Sequence, residues 1–184
     1  MGLVNPDSLA LTLDALNEAF FYGRRLTEPE REEAAGWIAG RQGKKGSYAD
    51  MFAPTESDFE EGVRLFTGER LPGGGGMAHI LGEEACRALI LLNVPRRDVR
   101  DALEAATTGM MSRIRMKDYT ATAGTYCCSR CTPALWRHLA VGGLMDAKPI
   151  LTAGMRTLKS RRDGEGGWKA FPFHYTLLAL SEVD

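Results

Sequence analysis

The sequence predicts an all-α chain built as an array of αα-hairpins, and three observations carry that reading. Apolar residues recur at three- and four-residue spacing through most of the chain, which is the period of a helix with one buried face. No stretch shows the strict alternation of a half-buried strand. The segment Trp37-Ile38-x3-Gln42-x3-Gly46-x-Tyr48 returns in weaker form as Thr157-Leu158-x3-Arg162-x3-Gly166-x-Trp168, 120 positions later. That is three periods of 40, and a fixed period of about 20–50 residues marks a repeat architecture. A third, looser copy ends at Gly124-x-Tyr126. The expectation is one domain over 1–184, with repeat copies near 34–48, 115–126 and 153–168.

Taken in order, Leu9, Leu13, Leu16 and Phe20 predict a first helix over about 8–23. Thr27-x-x-Glu30 has the form of a capping box, with Pro29 tolerated in the first turn, so a second helix starts there and stops near Gly40. A loop with Gly43, Gly46 and Pro54 follows. Ser57-x-x-Glu60 opens a third helix, with Phe59, Val63 and Phe66 as its apolar line. Four consecutive glycines, 73–76, read as a flexible connection, because they lack the Lys-Ser/Thr ending of a phosphate-binding loop. A fourth helix is expected over about 77–92 and a fifth along Val99, Ala102, Leu103, Ala106 and Met110. Thr132-Pro133 makes a good N-cap and first position for a sixth. A seventh covers about 147–161 and an eighth about 171–182. Eight helices make about four stacked hairpins.

The composition excludes several classes of function. The chain has 184 residues, 44% hydrophobic and 26% charged, with a net charge of −1, so no global field favours nucleic acid or an anionic membrane. The basic stretch from Arg96 to Lys117 is interrupted by Asp98, Asp101 and Glu104 and reads as a solvated helix face. No window of about 18 residues is free of polar side chains, so membrane insertion is not expected. The N-terminal ten residues do not have the form of an export signal. Three of the four cysteines fall within five residues, unlike a secreted disulfide scaffold, and together these point to reduced thiols in the cytoplasm.

The Trp-aliphatic-x3-Gln-x3-Gly-x-aromatic pattern at 37–48, with Asp163-Gly164-Glu165-Gly166-Gly167-Trp168, resembles the repeat of the terpenoid cyclase and protein prenyltransferase superfamily. The resemblance implies an α/α toroid. A complete toroid has six hairpins, and at about 40 residues each this chain holds about four, so it resembles an incomplete one. An open arc leaves an apolar end face, which implies a homo-oligomer or a protein partner. The superfamily also implies a hydrophobic, isoprenoid-like ligand, and Trp136, Phe171, Phe173 and Tyr175 are the aromatics that could line its pocket or simply fill the core. The clustered aspartates of the cyclase branch are missing. The nearest run, Asp58-Phe59-Glu60-Glu61, reads as a helix start with its acids turned to the dipole and water.

Chemistry is richest at Cys127-Cys128-Ser129-Arg130-Cys131, just before the sixth helix. A helix N-terminus favours thiolate, and Cys128 and Cys131 have the Cys-x-x-Cys spacing of a zinc or redox pair. Protein prenyltransferases hold a catalytic zinc with Asp-x-Cys near the start of one inner helix and a His near the start of a later one. By that resemblance Cys131 takes the Cys place, His174 the His place, and Cys128 substitutes for the Asp, whose position holds Ser129. Zinc on Cys128, Cys131 and His174 is one reading; small buried thiols without metal is another, and a redox pair a third. His138 lies seven residues beyond Cys131, about 10 Å along a helix, too far to share an ion without strain. His79 and Cys86, two turns apart on the fourth helix, read as packing residues. Function therefore stands as a prenyltransferase- or cyclase-like repeat protein of open activity, with a non-catalytic scaffold and a zinc-dependent transferase beside it.

Overall fold

In the computed structural model the described residues are 2–71, 73–115, 123–142, 144 and 147–183. They form eight α-helices: α1 (Leu9–Phe21), α2 (Glu28–Ala39), α3 (Glu56–Glu61), α4 (Gly75–Leu92), α5 (Arg97–Arg115), α6 (Thr132–Ala140), α7 (Ala147–Ser160) and α8 (Phe173–Leu180). No strand occurs among the described residues, only three isolated bridges. The all-α expectation holds, and no helix among them is long and apolar enough to cross a membrane. Part of the third repeat copy, near 115–126, lies outside the described residues.

The helix starts follow side-chain capping. Ser8 caps α1 by accepting from Leu11 N, and the Thr27–Glu30 capping box opens α2. The third helix departs from expectation. Its capping box is Thr55 with Asp58, not Ser57 with Glu60, and it runs only six residues. Asp58 does not face water. Its carboxylate is buried and also accepts from Ser8 Oγ (2.5 Å) and Leu9 N (3.0 Å), so one side chain serves the N-termini of both α1 and α3. Phe59, expected on an apolar line, is exposed. At the glycine run, α4 begins at Gly75 rather than about 77, with Gly74 as N-cap at φ +69°.

The core is organised on α4, which packs against α1, α2, α5 and α6. It is buried almost all round, so its polar residues Glu83, Glu84, Arg87 and His79 are buried with its leucines. The second hub is α6, which packs on α4, α7 and α8. The loop before α6 is pinned to α7. Gly124, at φ +64°, lies so close to the backbone of Ile150 and Gly154 that no Cβ fits there. Trp136 Nε1 donates to Gly124 O (2.7 Å) and Thr157 Oγ1 to Ala123 O (2.6 Å). That clamp fixes where the cysteine segment leaves the core. The repeat turns share one local feature: Gly46 and Gly166 have φ of +94° and +96°, open to glycine at little cost.

Asp14 on α1 gives the fold a pH dependence. Burial, and then the charge of Glu84, push its carboxyl from 3.8 up to about 7. Between those values the folded chain keeps a proton that the unfolded chain has lost. Stability therefore falls as pH rises from about 4 through about 7 and stays lower above that. Asp14→Asn removes the penalty. It should stabilise the protein at pH 8 by about 1–3 kcal/mol and much less at pH 4.5, as read by urea unfolding at the two pH values.

Candidate metal centre

The residues with the most chemistry meet where the first turns of α4 approach the loop before α6. His79 is fully buried. Its ring stacks on Tyr48, 4.4 Å between centroids, and meets the edge of Tyr126 at 5.3 Å. The two tyrosine hydroxyls are 2.7 Å apart, so this aromatic wall is tied together. One ring nitrogen, Nε2, faces Glu83 Oε1 one helical turn on, at 3.4 Å. The other oxygen of Glu83 makes a short contact with Nδ1 of His138, on α6. Glu83 thus ties the two imidazoles together across the α4–α6 contact. Burial alone would raise its carboxyl, but His138 and His79 outweigh that and hold it at about 2. Burial likewise lowers His79, and the Cys127 thiol and Glu83 more than compensate, bringing it to about 9.

The second nitrogen of His79, Nδ1, has no hydrogen-bond partner among the described residues. The cysteine segment comes up to the same ring. Cys127 sits at φ +65°, in the left-handed region that few non-glycine residues adopt. Cys128 N donates to Tyr126 O (2.8 Å), and Thr132 Oγ1 donates to Cys128 O (2.8 Å), which sets the turn before α6. The ligating atoms of His79, Cys127 and Cys131 all lie within 4.8 Å of one another. Bonds of about 2.0–2.3 Å to a tetrahedral ion place ligand atoms roughly 3.3–3.8 Å apart, so closing by at most about 1.5 Å suffices. Cys127 is exposed and can make that adjustment. The imidazole of His79 is the largest influence on its thiol, which is lowered to about 7, near the point where it titrates at neutral pH. Cys131 is buried, and burial first, then the neighbouring thiols of Cys128 and Cys127, push its pKa up. A cation would reverse that by stabilising its thiolate.

Of the three residues in this group the sequence reading placed Cys131 and missed His79 and Cys127. Cys128 and Cys131 are brought together, with sulfurs 3.5 Å apart. His174 is elsewhere: its side chain is exposed against Phe173, and it is not in the three-residue group. Its backbone N–H and that of Tyr175 donate to the carboxylate of Glu69 (3.0 and 2.7 Å), which caps α8. The imidazole in the group is His79, expected only to pack, and the third ligand is Cys127. The one signal for His79 is its setting, since His79, Glu83, Glu84 and Arg87 interrupt an otherwise apolar helix that is buried almost all round. Cys86, the other residue read as packing, is buried in that helix as expected.

The aromatics do not share a pocket. Trp136 is fully buried and stacks on Phe171 at 5.8 Å, whereas Phe173 is exposed and lies 6.1 Å from Trp168. Tyr175 is buried, with its hydroxyl on Glu84. That carboxylate belongs to a second polar cluster. Arg137 donates to Glu84 Oε1 (2.6 Å) and to both oxygens of Glu182 (2.9 Å each), and Arg87 donates to Glu182 Oε1 (2.6 Å). Asn17 accepts from both arginines at 3.0 Å. Its charges pair internally and its hydrogen bonds are met, so it reads as a lock between α1, α4, α6 and the end of α8.

No family model, no curated protein and no solved structure matches this chain significantly, so the inference about its activity stands on the arrangement of His79, Cys127, Cys131 and Glu83.

Proposed function

We propose that the protein is a zinc-dependent group-transfer enzyme in which His79, Cys127 and Cys131 hold the ion. The observation that carries this is the buried imidazole of His79, whose Nδ1 has no hydrogen-bond partner among the described residues and which lies within 4.8 Å of two thiols through one of its nitrogens. A buried polar atom left in that state costs about 1–3 kcal/mol, and a ligand removes the cost. Glu83 on Nε2 strengthens the reading, because metal-bound histidines commonly give their other ring N–H to a carboxylate. Two thiolates and one imidazole, with a fourth position open on the exposed side of Cys127, make the donor set of a catalytic site rather than a closed structural one. Zinc there would supply Lewis acidity, lowering the pKa of a bound water or substrate thiol.

The substrate class follows the resemblance seen in the sequence. A cavity of about 420 Å³ beside the cysteine segment is lined by Leu65, Leu71, Phe171 and Pro172 with Arg70, Arg130 and Glu69, whose carboxylate is taken up by the backbone of α8. An apolar chain with an anionic end, as in an isoprenoid, suits those walls. The shared φ of Gly46 and Gly166 supports repeated hairpins and an incomplete α/α toroid. Reduced thiols suit the cytoplasm. A scaffold reading is favoured by one feature, the exposed Leu11, Phe21 and Tyr22 on and just beyond α1, where a second copy or another protein would dock.

The test is metal analysis of protein purified without chelator or a metal-binding tag. About one zinc per chain is expected, lost in His79→Ala and Cys131→Ser and kept in Cys86→Ala. Wild-type protein that folds without stoichiometric metal would contradict the proposal. The same outcome with a stable dimer in light scattering would favour the scaffold.

A further inference from the structure

Cys128 is left over by the three-residue centre, yet its position is tightly set. Its sulfur lies 3.5 Å from that of Cys131. Cys131 N (3.2 Å) and Thr132 N (3.0 Å) both donate to Cys128 O, closing the turn that opens α6. The two side chains therefore start one turn apart on the same side. Their surroundings differ: Cys128 is exposed, whereas Cys131 is 1% exposed and packs with Ile80, Ala134 and Tyr175. A reagent in solution reaches the first sulfur and not the second. A disulfide needs sulfurs about 2.05 Å apart, so the pair must close by about 1.5 Å, within reach of rotation at the exposed Cys128 side chain.

We infer that Cys128 and Cys131 form a thiol–disulfide exchange site, whose oxidation by a small-molecule disulfide withdraws Cys131 from the metal centre. The exchange itself stands on the geometry of the pair; its effect on metal rests on the function proposed above. The Cys128 thiolate attacks one sulfur of the oxidant RS–SR, forming a mixed disulfide and expelling RS⁻, which takes up a proton. Cys131 then attacks the Cys128 sulfur, the mixed disulfide breaks, and a second RS⁻ leaves. Two cysteines lose two electrons in all, and one RS–SR becomes two RSH. The centre keeps only His79 and Cys127, too few protein ligands to retain zinc. Cys128 is thus the residue that couples metal retention to the thiol–disulfide balance around the protein.

The experiment treats the purified, metal-loaded protein with oxidised glutathione, without oxygen. It follows zinc release with a chromophoric chelator and maps disulfides by peptide mass spectrometry. A Cys128–Cys131 disulfide is expected, with one zinc released for each disulfide formed. Cys128→Ser and Cys128→Ala should keep their metal and release it at least about tenfold more slowly, because the accessible attacking thiol is gone. Release at the wild-type rate in these variants, or a disulfide mapped to Cys127–Cys131 or between chains, would overturn the inference. Protein that takes up no zinc yet still forms the Cys128–Cys131 bond would sink the metal reading and leave the exchange site standing. Metal-loaded protein that forms no such bond would do the reverse.

Discussion

Stripping the ion from wild-type protein should lower its melting temperature by about 8–16 °C. A ligand present at about 1,000 times its dissociation constant adds roughly 4 kcal/mol to apparent stability. In a chain of this size each kcal/mol moves the melting temperature by about 2–4 °C. The position of the site explains why the effect reaches the whole fold. His79 lies near the start of α4, the helix at the centre of the core, while Cys127 and Cys131 lead into α6, the second hub. An ion shared between them would staple the two hubs near their N-terminal ends, and Glu83 in mid-α4 with His138 in the last turn of α6 is a second link. Cys131→Ser should show the lowered melting temperature without any chelator and should respond to chelator no further. Identical melting curves for wild-type protein with and without chelator would contradict the staple.

Arg137→Ala should cost about 3–5 kcal/mol in urea unfolding, because it leaves buried carboxylate without its partner. Arg137 is almost wholly buried, and its guanidinium serves Glu84, Glu182 and Asn17 at once. Glu84 is equally buried, and although Arg87 acts on it too, Arg137 is the largest influence that offsets the cost of its burial. Arg137→Lys should recover little, since one ammonium cannot reproduce a planar fork reaching three side chains. A loss below about 1 kcal/mol for the alanine variant would show that the cluster is not the lock described.

Helical periodicity made most of the fold legible, and its failures are local. α3 was misplaced because Thr55–Asp58 and Ser57–Glu60 both have the form of a capping box. What decided between them is tertiary: Asp58 is needed by Ser8 and Leu9, some 50 positions away, and no local pattern reports that. The same limit hid His79, the one imidazole of the candidate centre. Cysteine spacing brought out Cys128 and Cys131, because the Cys-x-x-Cys signal is local. His79 is 48 positions from Cys127, and only the packing of α6 on α4 brings them together. His174 was offered through the resemblance to the prenyltransferases, which matches helix starts but not the groups that meet them. Here the start of α8 meets Glu69. The polar residues of α4 were the unread clue, since Glu83, Glu84 and Arg87 in so apolar a helix must be partnered if buried.

Cobalt substitution tests the central claim most directly, because Co²⁺ reports both donor atoms and geometry. Metal-free protein titrated with Co²⁺ should take up one equivalent. It should develop the intense visible absorption of a four-coordinate ion, with near-ultraviolet bands from thiolate ligands. Uptake, and with it the thiolate bands, should be lost in Cys127→Ser and in His79→Ala alike. A weak spectrum of the six-coordinate kind, or a spectrum unchanged by both substitutions, would show that His79, Cys127 and Cys131 do not hold a metal.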